Sequence, residues 1–191
     1  MHNKITDYIQ NSVTTKQQIL ENDAILNKIE EITNTITNAL KNENKILFVG
    51  NGGSASDCDH LATEFVSKFY KDRHAFNALS LTSNNALITA LSNDFSYEKA
   101  FSRQIEAIGK KGDILFALST SGNSKNVVNS INVANEMGLT TIGFTGEQKT
   151  EMDNICSILI KIPSKETPNI QEATMMLGHL ICLLVEEELL K

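Results

Sequence analysis

The chain has 191 residues, of which 41% are hydrophobic and 21% charged, and its formal net charge at pH 7 is −6. This length suffices for one α/β domain, while the acidic balance argues against nucleic acid as the main partner. No apolar run reaches the length of a membrane span, and residues 1–7 lack the apolar core of a signal peptide. Three widely spaced cysteines, Cys58, Cys156 and Cys182, disfavour a disulfide framework and favour a cytoplasmic location.

Two helices are predicted ahead of the first strand, at 4–21 and 24–41, because apolar residues recur there at helical spacing. The apolar positions are Ile5, Ile9 and Val13 in the first helix and Ile25, Ile29, Ile32, Ile36 and Leu40 in the second. Residues 1–42 would therefore extend an α/β unit, either by covering their own domain or by packing on another subunit. Stripes on both helices need a partner surface, which favours the subunit contact.

Strands and helices alternate through the rest of the chain. Strands are predicted at 45–49, 76–81, 113–118, 140–145 and 156–162, and helices at 55–70, 84–92, 97–108, 124–137, near 149–153 and from Thr167 to Leu190, with Asn93 and Asp94 breaking the second of these helices. The alternation predicts one α/β domain, 1–191, with a doubly wound, mostly parallel five-stranded sheet flanked by helices. Ligands of such a sheet lie at the carboxyl ends of its strands.

A hydroxyl-rich hexamer, Ser119-Thr120-Ser121-Gly122-Asn123-Ser124, stands between a predicted strand and a predicted helix. Such a turn presents backbone N–H groups and hydroxyl donors at the positive end of a helix, which suits a phosphate. The lysine of nucleoside triphosphate loops is missing. The hexamer therefore favours a small phosphorylated metabolite.

A second loop, Gly50-Asn51-Gly52-Gly53-Ser54, follows the first strand and faces the same sheet edge. With Ala55 it matches the dinucleotide-binding pattern G-x-G-x-x-A only weakly. That pattern needs an acidic residue at the end of the second strand to hold a ribose, and the residues there are Leu81-Thr82-Ser83-Asn84. Binding of NAD or FAD is therefore disfavoured.

Two helices carry candidate proton-transfer residues. His60 and Glu64 lie four residues apart and share one helix face, where the alternative interpretation is a weak surface pair. Gln171 and His179 share a side of the last helix only loosely, since eight residues exceed two turns. His179 lies in an apolar stretch, which fits either a core histidine with one hydrogen-bond partner or an imidazole acting as acid or base.

Four motifs together resemble the sugar isomerase (SIS) domain family and, within it, the phosphoheptose isomerases. They are the two loops, Asn93-Asp94-Phe95 and Ile170-Gln171-Glu172, and the resemblance covers nearly the whole chain. It implies a flavodoxin-type SIS fold and a cytoplasmic homotetramer with N-terminal helices at the subunit contacts. It also implies interconversion of sedoheptulose 7-phosphate and D-glycero-D-manno-heptose 7-phosphate, the first step toward the heptose of lipopolysaccharide or related surface glycans.

The resemblance also implies residue roles. Ser119, Thr120, Ser121 and Ser124 would hold the phosphate, Asn51, Gly52 and Gly53 would line the sugar site, and Asn93 and Asp94 would bind hydroxyls. Glu64 and His179 match the catalytic pair, with Glu64 as base and His179 as partner acid, although the reverse assignment stays open. His60, Glu64, Gln171 and His179 match the positions that bind one Zn²⁺ per subunit, and Glu64 and Gln171 would also touch substrate.

The chain departs from the family pattern near its last motif. Asn169 and Thr174 stand where the family has Arg and His, and residues 163–168 also differ. Since Gln171 and Glu172 remain, we expect altered rather than abolished binding. The alternatives are a non-catalytic relative, such as the DnaA initiator-associating protein, a phosphosugar sensor, or an isomerase of shorter sugar phosphates. The first two are disfavoured by the presence of Glu64 and His179.

Overall fold

The chain folds around one five-stranded sheet in the computed structural model, which describes residues 1–191. Its strands are β1 (Ile46–Gly50), β2 (Ala78–Ser80), β3 (Ile114–Leu118), β4 (Thr140–Gly146) and β5 (Ile158–Ile162). Every neighbouring pair is parallel, and the strand order is β2-β1-β3-β4-β5. The order reverses direction between β1 and β3, so the crevice where ligands of such sheets bind opens between the loops after these two strands.

Seven helices flank the sheet. They are α1 (His2–Leu20), α2 (Asp23–Lys41), α3 (Gly53–Val66), α4 (Asn85–Asp94), α5 (Ser102–Ile108), α6 (Lys125–Glu136) and α7 (Thr167–Leu189), with single 3₁₀ turns at Tyr97–Lys99 and Glu151–Asn154. One apolar core joins α2, α3 and α7 to one sheet face, and a second joins α5 and α6 to the other. The predicted doubly wound α/β fold is confirmed. No helix is both long and apolar enough to cross a membrane.

The two N-terminal helices differ in how their apolar stripes are covered. Ile25, Ile29, Ile32 and Ile36 of α2 are buried in the subunit's own core, because α2 packs against α7 and β5. The expectation that this stripe needs another subunit is therefore wrong. On α1, by contrast, Ile5, Ile9 and Val13 are more than half exposed. A subunit contact remains a prediction for α1 alone.

Three predicted helix boundaries differ from the structure, two of them because side chains take backbone partners. Helix α3 ends at Val66, not 70, since the N–H groups of Phe69, Tyr70 and Lys71 donate to the Glu186 carboxylate. Asn93 and Asp94 do not break α4 but form its last residues. The helix predicted at 97–108 is divided into a 3₁₀ turn and α5, and the Gln104 side chain donates to the Ala100 carbonyl between them.

Candidate functional site

The loops after β1 and β3 are tied together across the crevice by a pair of side-chain amides. Asn51 Nδ2 donates to Asn126 Oδ1 over 2.8 Å, and Asn126 Nδ2 donates to Asn51 Oδ1 over 2.9 Å. The Tyr97 hydroxyl donates to the same Asn51 oxygen over 2.7 Å. Asn126 is buried in the first turn of α6. The pair fixes the distance between the two loops that carry candidate substrate contacts.

The hexamer forms a turn whose polar groups converge ahead of α6. Ser119 Oγ lies 3.3 Å from Ser124 Oγ and 3.5 Å from Ser121 Oγ, and Ser124 is the N-cap residue of α6. The backbone N–H groups of Thr120, Ser121 and Ser124 have no backbone acceptor. Free N–H groups and clustered hydroxyls at a helix N-terminus can bind an anion, as the sequence predicted.

A polar cavity of 240 Å³ adjoins this turn. It is lined by Thr120, Ser121 and Asn123 of the hexamer, Gly146, Gln148 and Thr150 after β4, and Ser164, Lys165, Thr167 and Ile170 at the start of α7. Lys165 brings a cation to this wall. A larger cavity, of 410 Å³, lies on the other face of α3, beside the edge strand β2, and holds none of the candidate catalytic residues. Chemistry and not size therefore locates the site.

His60, Glu64 and His179 meet where α3 packs against α7. The two Nε2 atoms of the histidines are 2.9 Å apart, and His60 Nε2 lies 3.3 Å from Glu64 Oε1. When no cation lies between the two nitrogens, one imidazole donates an N–H proton in a hydrogen bond and the other imidazole accepts it. The sequence placed the three residues on two separate helices, and the structure brings them into one cluster.

This cluster fits a divalent transition metal. One ligand atom from each of the three residues lies within 4.8 Å of the others. Two nitrogens on a tetrahedral Zn²⁺ stand about 3.3 Å apart, given bonds of about 2.0–2.1 Å. The separations of 2.9 Å between the two imidazoles and 3.3 Å between His60 and Glu64 are close to this value, and imidazole and carboxylate are ligands that Zn²⁺ accepts.

Gln171, the fourth predicted ligand, lies over the start of α3. A Cβ added to Gly53 would stand 2.5 Å from Gln171 Nε2, so a glycine is needed at 53 for the amide to fit. Gln171 Nε2 donates to Asp57 Oδ2 over 2.9 Å. Burial raises the pKa of the Asp57 carboxyl, against the opposing effects of the Gln171 hydrogen bond and of nearby His60.

The helices approach closely beside this cluster. A Cβ on Gly178 would lie 2.8 Å from the buried Leu61 side chain, so the glycine next to His179 lets α3 pack close to α7. Beyond Glu64, the buried Arg73 and Glu186 side chains form an ion pair of 2.9 Å. Arg73 also donates to the Glu64 carbonyl, and Glu186 holds Phe69, whose ring stacks on His179.

Other predicted site residues lie apart from the cluster. Asn93 and Asp94 are exposed at the end of α4, where Asn93 Nδ2 donates to Asp94 Oδ1 over 2.9 Å. Glu172 is turned toward α1, where Ser12 and Lys16 hold its carboxylate. Asn169 and Thr174, at the positions of the family's Arg and His, are buried.

The sequence did not predict Asp57, Tyr97 or Asn126 as site residues. Asp57 precedes His60 by three residues and Glu64 by seven, so its place on the same face of α3 could be derived from helical spacing. Tyr97 and Asn126 reach Asn51 through tertiary contacts. No local pattern indicates such contacts.

The chain is similar to known proteins over its full length. A family model described as "SIS domain" matches residues 7–146. Phosphoheptose isomerases of Aneurinibacillus thermoaerophilus and Clostridium acetobutylicum are 44% and 45% identical to this chain. The two alignments cover 100% and 99% of this chain and 96% of each relative. The structure of a phosphoheptose isomerase from Neisseria gonorrhoeae, 29% identical, superposes with a TM-score of 0.91 over 97% of this chain and 98% of that one.

Proposed function

This chain belongs to the phosphoheptose isomerase family of SIS domain proteins, and we propose that it interconverts sedoheptulose 7-phosphate and D-glycero-D-manno-heptose 7-phosphate. This reaction begins the supply of heptose for lipopolysaccharide or related surface glycans. The observation that carries the proposal is the clustering of Glu64 with His179, in a chain that also carries the hydroxyl-rich hexamer. A non-catalytic SIS protein or sensor has no need of this carboxylate–imidazole pair.

The isomerisation moves one proton between C1 and C2. In the ketose-to-aldose direction, Glu64 takes the proton from C1, electrons of the broken C–H bond form the C1–C2 double bond, and the carbonyl oxygen gains negative charge. His179 supplies a proton to that oxygen and removes one from the C1 hydroxyl, and the proton on Glu64 returns to C2. The net change is an aldose, with both residues restored. In the reverse direction each residue reverses its own steps: Glu64 takes the proton from C2 and returns it to C1, and His179 moves protons between the two oxygens.

The remaining polar groups hold the substrate. Ser119, Thr120, Ser121 and Ser124 bind the phosphate, supported by their converging hydroxyls and free N–H groups. Asn51, Gly52, Gly53 and Gln171 line the sugar, and Asn93 and Asp94 bind hydroxyls. Anchoring the phosphate aligns the reacting end of an extended chain, which lowers the entropic part of the barrier.

We further propose that His60, Glu64, Gln171 and His179 bind one Zn²⁺ per subunit. The short separations among His60, Glu64 and His179 and their nitrogen and oxygen donors support three of these ligands, and Gln171 joins them because it binds Asp57 on the helix that carries His60 and Glu64. When bound, the ion supplies Lewis-acid polarisation of the substrate oxygens. Loss of turnover on chelation, restored by added Zn²⁺, is the expected result; full turnover after chelation would contradict a required zinc.

We also propose that the protein is a homotetramer in the cytoplasm. The exposed apolar side chains of α1 favour a subunit contact there. The three cysteines are free thiols, which favours a reducing compartment.

The proposed reaction is tested by incubating the purified protein with sedoheptulose 7-phosphate and following formation of the aldose. Turnover of the seven-carbon substrate, with slower turnover of pentose and hexose phosphates, is expected. If the protein turns over a shorter sugar phosphate but not sedoheptulose 7-phosphate, the proposed substrate is wrong. If it turns over no sugar phosphate, the result favours a phosphosugar sensor.

A further inference from the structure

The orientation of the Gln171 side chain decides what it can do in the proposed site. A primary amide has a donor end, Nε2, and an acceptor end, Oε1, and only the oxygen can bind a cation. Rotating the amide by half a turn exchanges the two ends with little change in shape. A protein that uses the oxygen as a ligand therefore needs a neighbour that distinguishes the ends.

Asp57 is that neighbour. Its Oδ2 accepts from Gln171 Nε2 over 2.9 Å, and an ionised carboxylate offers no proton to bind Oε1. The backbone of Gly53 packs against the same amide, where a larger residue would displace it. The contact with Gly53 restrains both ends of the amide, and the hydrogen bond leaves Oε1 as the end that is free of Asp57.

We propose that Asp57 is a positioning residue, an inference that rests on the zinc site proposed above. It holds the amide of Gln171 so that Oε1, and not Nε2, is available as the fourth ligand beside His60, Glu64 and His179. Hydrogen-bonded partners behind metal ligands commonly change metal affinity by about 10–100-fold. Asp57 acts through Gln171, and it touches neither the substrate nor the metal.

A competing explanation is that Asp57 only stabilises α3 as an acidic residue in the N-terminal half of the helix. A variant of Asp59 can distinguish the two explanations. It is an acidic residue on the same helix, two positions further on, and its Oδ1 accepts from the Thr82 hydroxyl rather than from Gln171. Asp59→Asn removes the same charge from α3 and leaves the Gln171 contact intact.

The test measures Zn²⁺ affinity of the full-length protein by competition with a chromophoric chelator, without substrate. Asp57→Ala is expected to weaken Zn²⁺ binding at least tenfold, while Asp59→Asn stays within twofold of the wild type. Asp57→Asn should lie between them, because its oxygen can accept from Nε2 but its own amide can also donate to Oε1. Thermal unfolding verifies that each variant is folded, and Asp57→Asn decides the question should Asp57→Ala fail to fold.

Equal Zn²⁺ affinity of the Asp57 variants and Asp59→Asn would overturn the inference, as would a wild-type protein that binds no Zn²⁺. Turnover of sedoheptulose 7-phosphate is measured separately on the wild type. A protein that binds Zn²⁺ through Asp57-dependent Gln171 but turns over no sugar would refute the proposed reaction and retain the positioning role.

Discussion

At the scale of single residues, Glu64 and His179 have distinct roles in the proposed chemistry. Glu64→Gln keeps the shape of the side chain but removes the base, so kcat should fall by about 10²–10⁴. His179→Gln should cost a similar factor, because no group remains to move protons between the oxygens. Steady-state kinetics on sedoheptulose 7-phosphate measure both effects, with KM changing much less than kcat.

Matched controls for these two variants lie outside the site. Glu187→Gln is an exposed change on α7, and His2→Gln is an exposed change at the start of α1. Both should keep wild-type kcat. If a folded Glu64→Gln or His179→Gln variant retains near-normal kcat, the role assigned to that residue is wrong.

Gly122 holds the phosphate turn in a backbone conformation that few other residues accept. Its φ is +63°, and an added Cβ would stand 2.6 Å from both Thr145 Oγ1 and Thr150 Cβ. Gly122→Ala should therefore combine left-handed strain of about 1–2 kcal/mol with overpacking of about 1–3 kcal/mol. The displaced Ser121 and Ser124 should raise KM for the phosphosugar about tenfold or more.

The control for Gly122→Ala is Gly138→Ala. Gly138 also has a positive φ, of +78°, but its nearest contact is the flexible side chain of Lys111, at 3.1 Å, and it lies away from the site. In chemical denaturation, Gly138→Ala should lower the free energy of unfolding by the left-handed strain alone, and its KM should be unchanged. Equal losses of stability and equal KM values for the two variants would show that Gly122 serves only the backbone.

At the scale of elements, one buried ion pair fixes the end of α3 against α7. Arg73 donates to the carbonyls of Glu64 and Phe65 at the end of α3, and to the Glu186 carboxylate. Glu186 also accepts from three successive N–H groups of the segment 69–71. Because both charges are buried, Arg73→Met should cost about 3–5 kcal/mol in the free energy of unfolding. Arg103→Met, in an exposed ion pair, should cost about 1 kcal/mol or less.

The same pair predicts how stability depends on pH. Burial raises the pKa of the Glu186 carboxyl, but the backbone N–H groups and Arg73 outweigh burial, so the folded-state pKa lies below the ordinary value of 4.5. This stabilisation is present above pH 4.5 and is lost as pH falls from there through the folded-state pKa. The stability difference between wild type and Glu186→Gln should therefore be largest near neutral pH and shrink below pH 4.5. A difference that stays constant down to pH 3 would contradict the assignment.

Prediction from sequence succeeded where a local pattern determines the element. The apolar runs of β1 and β3 are fully buried strands, and the turns that follow them lie at one sheet edge as expected. Prediction from sequence failed where a side chain from a distant part of the chain binds the local backbone. Glu186 ends α3 from a position 120 residues beyond Val66, and no pattern near Val66 indicates it. Asp57 was missed although its helical spacing from His60 was available.

At the scale of the whole molecule, the N-terminal half of α1 has no partner within the subunit. Every residue from Met1 to Asn11 is exposed, and Ile5, Tyr8 and Ile9 are 52%, 59% and 58% exposed. The C-terminal half is attached, through buried Thr15 and Ile19. A helix this short is marginal in water without packing, so another surface must stabilise its free half. In the proposed homotetramer, the equivalent apolar side chains of other copies provide that surface.

Replacing Ile5 and Ile9 together by Glu tests the assembly. The wild type should run near four times the chain mass of 21.1 kDa, about 84 kDa, by light scattering after size exclusion. The double variant should shift to smaller species, because two charges would be buried without partners where each buried isoleucine contributes about 1.5–3 kcal/mol. It should stay folded, since neither side chain lies in the core. Gln18→Glu, an exposed change on the same helix, should keep the wild-type mass. An unchanged mass for the double variant would move the subunit contact away from α1, and a monomeric wild type would remove the tetramer itself.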